Sequence, residues 1–563
     1  MRYLITSALP YINGIKHLGN LVGSMLPADL MARYLRRAGE EVLFICATDE
    51  HGTPAEIAAH DAGMEVEEYC SQMHSLHASI YETFGLSFDH FGRSSSPQNH
   101  AMTQYIYGRL EENGFIEERD IKLFFSIEDN RFLPDRYIIG TCPKCGYEAA
   151  RGDQCENCTS LLDPTDLIDP RSAISGSKKL EIRSSRHLFL RQTLLSQDLR
   201  RWIDEHAEWP VITRSIAYKW LDEGLRDRCI TRDSSWGIPV PRPGFTDKVF
   251  YVWFDAPIEY IAATVEWAEM KPDDRNWQAW WRQPDDVKYI QFMAKDNVPF
   301  HTISWPATMI GTRETWVMAN FIKSFNWLTY YGGKFSTSRR RGVFMDEALK
   351  LFAPDYWRYF LMAHAPESSD ADFTWELFAS TVNKDLADKF GNFINRTLKL
   401  TSTYYGLQVP EGGEPGPVEI KLRTALADLL TEYDRAFRNM EFRKVIITLR
   451  AMWDAGNVYF DECKPWDIVK KDSAAGAVIL RTAINLIYFF AEAAWPIIPF
   501  TSGKIFDALK LSDEERTAST HEVLSLTALQ AGRAFEIIPP LFMKIDKTRL
   551  QELNEAFSGI KGT

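Results

Sequence analysis

Tyr3-Leu4-Ile5-Thr6-Ser7-Ala8-Leu9, then a Pro10-Tyr11-Ile12-Asn13-Gly14 loop, an amphipathic stretch to Arg37 and Glu41-Val42-Leu43-Phe44-Ile45-Cys46 form the segment that decides the fold. An apolar run, turn residues, helical periodicity and a second apolar run give the order strand, loop, helix, strand, which is a βαβ unit. Such units build parallel sheets whose ligands bind at the carboxyl ends of the strands, so the loops after Leu9 and Cys46 are expected to face one crevice. Strand-like runs return at Val249-Phe250-Tyr251-Val252-Trp253-Phe254 and at Lys288-Tyr289-Ile290-Gln291-Phe292, and these are expected to complete the same sheet. Between about Phe115 and Arg226 the texture changes to short strand-like runs, clustered cysteines and Pro/Asp/Ser-rich connections, so the nucleotide-type fold is read as interrupted by an insertion. After about Asp372 helical periodicity dominates, as in Ile420 to Arg438 and Arg443 to Tyr459, and predicts a helical bundle. The Gly- and Pro-rich Glu411 to Pro417 connects two of its helices.

Composition bounds the reading. A chain of 563 residues exceeds what one hydrophobic core fills, and 45% apolar with 25% charged residues is ordinary globular usage. The N-terminus carries no charged region followed by an apolar core and a small-residue cleavage site, so the cytoplasm is the expected compartment. Ala475 to Phe500 is the most apolar stretch. Arg481, Asn485, Glu492 and Pro496 interrupt it, which predicts a buried bundle helix rather than a membrane span. The net charge of −13 opposes coating of nucleic acid through the overall field, so any such contact needs local basic patches. Ser338-Arg339-Arg340-Arg341-Gly342 is one candidate, although a solvated face has the same composition.

Four constellations carry chemistry. The strand-to-helix turn Pro10 to Asn20 suits phosphate, because backbone N–H groups at a helix N-terminus attract anions and the imidazole of His17 can donate a hydrogen bond. It has neither a GxGxxG nor a Walker sequence, so read alone it is only suggestive. Gly332-Gly333-Lys334-Phe335-Ser336-Thr337-Ser338-Arg339 presents cations and hydroxyls from a Gly-led loop; taken alone it equally describes a solvated hairpin tip. Cys142-Pro143-Lys144-Cys145 and Cys155-Glu156-Asn157-Cys158 are two CxxC pairs, enough thiolates to surround one tetrahedral zinc with no open position, hence a structural site. The scattered Cys46, Cys70, Cys229 and Cys463 read as reduced core thiols. Tyr251 to Tyr260, with Lys295 to His301, places Trp253 and Tyr260 near the small Ala256, which could wall a pocket for a polarizable apolar side chain, though aromatic spacing also describes ordinary core.

His17-Leu18-Gly19-Asn20 and Lys334-Phe335-Ser336-Thr337-Ser338, in this order around a βαβ unit, resemble the HIGH and KMSKS signatures of class I aminoacyl-tRNA synthetases. The Ala8-Leu9-Pro10-Tyr11 lead, Thr48-Asp49-Glu50-His51-Gly52-Thr53, the Tyr251 to Tyr260 stretch, the cysteine knuckle and Asp461-Glu462-Cys463-Lys464-Pro465-Trp466 narrow the resemblance to the methionyl-tRNA synthetase family. It implies an α/β fold: a Rossmann-like parallel-sheet catalytic domain with a zinc-knuckle insertion, followed by an α-helical anticodon-binding bundle. The boundaries read from the sequence are 1–114 and 227–325 for the discontinuous catalytic domain, 115–226 for the connective insertion, 326–372 for the KMSKS-type loop and stem-contact region, and 373–563 for the bundle.

The resemblance implies a methionine–tRNA ligase that uses ATP, with Mg2+, to form methionyl adenylate and pyrophosphate, and then charges methionine tRNA, initiator and elongator. By position, His17 and Asn20 would face the ATP phosphates, Gly19 would let adenine lie close, and Asp296 would hold the ribose. Lys334, with Thr337 and Ser338 in its loop, would close over the pyrophosphate. Asp49 would pair with the methionine ammonium beside the backbone of Leu9, and Tyr11, Trp253, Ala256, Pro257, Tyr260 and His301 would shape the side-chain pocket. Cys142, Cys145, Cys155 and Cys158 would hold structural Zn2+. Trp466 would stand in the anticodon site, with Lys389 as a further contact.

Asn20 replaces the final His of HIGH, Thr337 replaces the second Lys of KMSKS, and Ala294 stands where a Gly is common in the family. The loss of a loop cation at Thr337 implies either compensation by Arg339 or Arg340, the favoured reading, or slower activation than in relatives with the full motif. A synthetase for isoleucine, valine or leucine would need a larger editing insertion, and one for cysteine a zinc with an open position. A non-catalytic tRNA binder would have no use for an intact amino-acid pocket. With no additional oligonucleotide-binding module after the bundle, a monomer without membrane attachment is expected.

Overall fold

The computed structural model describes residues 1–563 except 134–136, 153–154, 156, 159, 161, 337–340 and 558–563. Five parallel strands form the central sheet: β1 (Arg2–Ser7), β2 (Glu41–Thr48), β3 (His90–Arg93), β4 (Val287–Ala294) and β5 (Phe321–Phe325). Their spatial order is β5-β4-β1-β2-β3. Leu4 of β1 lies opposite Tyr289 and Leu43, so the register runs unbroken through the three central strands. The chain winds outward from β1 to β3, then returns through the long insertion to the other side of β1. The reversal between β1 and β4 is the switch point at which open α/β sheets bind ligands.

The strands read as continuous apolar runs because both faces are covered. Alternate residues serve opposite cores: Ile5, Phe44 and Phe292 pack into one, and Leu4, Leu43, Ile45, Tyr289 and Met293 into the other. The first core continues without a break into the C-terminal helices through Phe442, Trp453 and Phe490. At that junction the fully buried Arg358 donates to Asp29 Oδ2 at 2.6 Å and to the carbonyls of Pro496 and Ile497 at 3.0 and 2.8 Å. Asp29 also pairs with Arg33 at 2.9 Å, so losing Asp29 would leave the Arg358 guanidinium buried without a carboxylate in contact, and the pair ties the C-terminal helices to the helix Leu26–Arg37 that follows β1.

The run Val249 to Phe254 does not complete the sheet. Only Val249–Phe250 is extended; it pairs with Thr231–Arg232 outside the central sheet, and a helix runs from Val252 to Glu269. A short apolar run has no periodicity that separates a buried strand from a buried helix, and twelve residues of this helix are buried. The insertion contains a long antiparallel ribbon, Ile116–Ser126 against Leu180–Leu190, and a small sheet beside the cysteines.

The C-terminal helices Pro417–Arg438, Phe442–Cys463 and Ser473–Ala494 pack together. The last is long and apolar enough to cross a membrane by length and composition, and most of it is buried within the protein. Its N-cap Asp472 accepts from Ala475 N–H at 3.0 Å.

Candidate active site

The first loop leaves β1 still tied to the sheet, Ala8 N–H donating to Phe292 O at 2.9 Å. It then pairs with the end of β2: Asp49 N–H donates to Pro10 O at 2.9 Å and Ile12 N–H to Asp49 O at 3.0 Å. The loops after Leu9 and Cys46 thus meet at one crevice, and the bridge fixes Tyr11 opposite Asp49. Two adjoining cavities open there, sharing Ala8, Leu9 and Asn297.

The smaller cavity, about 40 Å3, is lined by Leu9, Tyr11, Asp49, Trp253, Ala256, Pro257, Tyr260 and His301, together with Val252 and Phe300. A water-sized group needs on the order of 10–15 Å3, so it admits a slender chain of about three or four heavy atoms. Trp253 stacks on Phe300 with ring centroids 3.5 Å apart and meets Tyr11 edge-on at 6.1 Å. His301 Nδ1 lies 2.9 Å from Asn297 O and must carry a proton to bond it, so Nε2 accepts from the Tyr260 hydroxyl at 3.0 Å. Burial lowers the imidazole to about 4, so the pair is neutral at physiological pH.

One polar atom of this cavity is left over. Asp49 is 5% exposed, and its Oδ1 is buried with no hydrogen-bond partner among the described residues. Burial holds the Asp49 carboxyl well above the ordinary carboxylate range; Asp255 and Glu50 add to this and Lys16 opposes it. Lys16, itself buried, is anchored to Asn13 Oδ1 at 2.7 Å. A buried carboxyl oxygen without a donor calls for a cationic N–H group from the ligand.

The larger cavity, about 290 Å3, lies at the switch point and is lined by His17, Gly19, Asn20, Asp296 and Lys334, with Trp327, Leu328 and Phe335 among the rest. His17 N–H donates to Asn20 Oδ1 at 3.2 Å, which leaves the Asn20 amide N–H2 as the donor end. The His17 ring stacks on Phe335 at 4.9 Å, so the Gly-led loop already covers the helix start. A Cβ on Gly19 would sit 3.0 Å from His17 Nδ1, tight enough to displace the ring. Burial and neighbouring Lys16 lower His17 to about 3, so its hydrogen-bonding form is the neutral one. Thr337, Ser338, Arg339 and Arg340 lie outside the described residues.

The four knuckle sulfurs converge, each within 4.8 Å of every other. Cys142 Sγ is 3.8 Å from Cys158 Sγ and Cys145 Sγ 3.6 Å from Cys155 Sγ. A tetrahedron with Zn–S bonds of about 2.3 Å has edges of roughly 3.8 Å, so the donor set fits a four-thiolate ion.

In the bundle, the Arg396 guanidinium lies over Trp466 at 5.5 Å and over Phe460 at 5.1 Å, and pairs with Asp461 at 3.1 Å. Lys389, one heptad earlier, is bound to Asp454 at 2.7 Å. Arg396, and not Lys389, therefore shares the Trp466 surface. The sequence reading does not single out Arg396, and it includes Phe300 and Phe335 only within their motif stretches, without a role. Two matched heptad spacings, Lys389/Arg396 and Asp454/Asp461, were the one signal that could have found it.

Comparison with known proteins identifies the family and the fold. The family "tRNA synthetases class I (M)" matches residues 3–398, and the "anticodon binding domain of methionyl tRNA ligase" matches residues 409–562. The chain is 58% identical to methionine–tRNA ligase 1 of Acaryochloris marina over 99% of this chain and 100% of that protein. It is 55% identical to the methionine–tRNA ligase of Streptomyces avermitilis over 99% of each. A solved Mycobacterium tuberculosis methionyl-tRNA synthetase in complex with methionyl-adenylate shares the fold, with a TM-score of 0.77 at 23% identity, covering 96% of this chain and 99% of that one.

Proposed function

The chain belongs to the methionyl-tRNA synthetase family of class I, and from that premise we propose which of its side chains carry each part of the reaction. The activity is methionine–tRNA ligation, in two half-reactions. In the first, a methionine carboxylate oxygen bonds to the α-phosphorus of ATP as the bond to pyrophosphate breaks. In the second, a hydroxyl of the terminal tRNA ribose attacks the methionyl carbonyl and AMP departs.

The small cavity takes methionine. Asp49 Oδ1 receives its ammonium beside Leu9, while Tyr11, Trp253, Ala256, Pro257, Tyr260 and His301 enclose the thioether, which is favourable against aromatic rings. The unpartnered Asp49 oxygen is the observation that carries this reading. The large cavity takes ATP: His17 and the Asn20 amide donate to phosphate oxygens, Asp296 accepts from the ribose, Gly19 leaves room for adenine, and Lys334, with Thr337 and Ser338, meets the departing pyrophosphate. The common wall at Leu9 and Asn297 brings carboxylate and α-phosphate together, so orientation supplies much of the rate. Mg2+ would arrive as part of the MgATP substrate and would supply further neutralisation of the phosphate charge. Cys142, Cys145, Cys155 and Cys158 hold Zn2+ as a structural ion.

Trp466 and Arg396 offer stacking surfaces to an unpaired anticodon base, with Lys389 further along the same helix face. The boundaries 1–114 with 227–325, 115–226, 326–372 and 373–563 divide the labour between catalysis, knuckle, loop and anticodon. We place the enzyme in the cytoplasm as a monomer, acting on initiator and elongator methionine tRNA.

The test is ATP–pyrophosphate exchange with methionine, isoleucine, valine, leucine or cysteine. Exchange is expected with methionine alone. No exchange with any amino acid, in a folded sample loaded with zinc, would refute the assignment of the two cavities.

A further inference from the structure

Lys334 leaves the turn formed by Leu328–Tyr330 and Gly333–Lys334, at the mouth of the larger cavity. Its exposed ammonium is free to swing on a four-carbon stem, yet it lies 4.3 Å from the centroid of the Trp327 indole. Trp327 lines the same cavity, two residues past the end of β5, and carries a second cation, Lys295 Nζ at 4.1 Å. Asp370 braces the arrangement. Its Oδ1 accepts from Lys295 Nζ at 2.8 Å and from the Trp327 backbone N–H at 2.9 Å. Lys295 is thus ion-paired, whereas among the described residues no carboxylate lies within ion-pair distance of Lys334; Asp370 acts on it only at longer range, and the indole face is its nearest recorded partner.

We propose that Trp327 is a positioning residue for the activation half-reaction: its indole holds the Lys334 ammonium pre-aimed into the phosphate cavity, and the Lys295–Asp370 pair fixes the indole. A cation over an indole face is attracted by the ring quadrupole, most strongly for tryptophan. Charge developing on a leaving phosphate is best met by a donor already in place, because a mobile one must be ordered during the reaction. Once pyrophosphate has left, Lys334 has no developing charge to meet, so Trp327 has no part in transfer to tRNA. The inference rests on the assignment of Lys334 to the pyrophosphate side.

The experiment compares Trp327→Leu, Trp327→Phe, Lys334→Met and the double variant Trp327→Leu/Lys334→Met. It reads ATP–pyrophosphate exchange, the methionine KM, and single-turnover transfer from preformed methionyl adenylate to tRNA. Trp327→Leu is expected to slow exchange by about tenfold, leaving the methionine KM and the transfer rate within twofold of the unaltered enzyme. Trp327→Phe, which keeps a ring face, should recover most of the loss. In the Lys334→Met background Trp327→Leu should add nothing, since the cation it serves is gone. Equal slowing of both half-reactions, no recovery with Phe, or a full additive loss in the double variant would overturn the proposal. Undiminished exchange in Lys334→Met would instead overturn the assignment of Lys334 itself, whereas a slow Lys334→Met beside a normal Trp327→Leu would sink only the role of Trp327.

Discussion

The cavities proposed for methionine and for ATP share a wall at Ala8, Leu9 and Asn297, yet they are finished to different degrees. The methionine cavity is cut into packed core. Its rings stack on one another, its imidazole is committed to Asn297 and Tyr260, and one carboxyl oxygen is left for the ligand. The ATP cavity is several times larger. One wall is the strand-to-helix turn at His17, and another is the loop carrying Lys334 and Phe335. Selectivity for a small apolar side chain needs walls that do not yield, because one methylene changes binding by only about 1–3 kcal/mol. A triphosphate that must be cleaved and released needs a wall that moves.

The largest test of this contrast is Asp49→Ala. Methionine-dependent exchange should fall by more than a thousandfold with the thermal midpoint preserved, since the variant removes the ammonium's partner and relieves a crowd of buried acids. Normal exchange would remove Asp49 from the site.

On the ATP side, Asn20→Ala should lower the exchange rate by about a hundredfold and leave the methionine KM unchanged, the size of effect seen when one transition-state donor is lost. A rise in methionine KM with an intact rate would mean that the two cavities are not independent.

A smaller, graded effect follows from pH. The Asp49 carboxyl is held above its usual range, and only its ionised form pairs with an ammonium, so methionine binding is complete above that raised value and is lost as pH falls through it. The methionine KM should therefore climb by about tenfold per pH unit, beginning at higher pH than an ordinary carboxylate would allow. Asp49→Asn should bind weakly at every pH with a flat profile. The ATP KM should not follow the same curve.

The smallest effect is expected at Thr337→Lys, which restores the cation of the family signature. If Arg339 or Arg340 already supplies that charge, exchange stays within twofold of the unaltered enzyme. A tenfold gain would show that the loop is short of a cation.

Much of the site was legible because its chemistry sits in contiguous, polar-marked segments: the turn at Pro10 to Asn20, the Asp49 turn, and the paired CxxC motifs. Contacts between side chains distant in sequence were not legible. Phe335 could be placed in a loop, but its stacking on His17 joins residues 318 positions apart by number and needs the loop to fold back on the helix start. In sequence Arg396 is one more helical cation; only packing brings it beside Asp461 of helix Phe442–Cys463 and Trp466 of helix Pro465–Lys471. The run at Val249 reads as strand-like in sequence; burial on most sides makes it a helix from Val252 onward.

By itself the sequence determined the βαβ start, the parallel sheet, the helical bundle, the thiolate cluster and the family, since periodicity, turn chemistry and spaced ligands are local properties of the chain. The tertiary structure alone decided that Asp49 is a buried acid with one oxygen unpaired, that His301 is a neutral acceptor, and that Lys334 rests on Trp327. Protonation and orientation depend on what surrounds a group in three dimensions, because desolvation and neighbouring dipoles arise only when distant segments pack together.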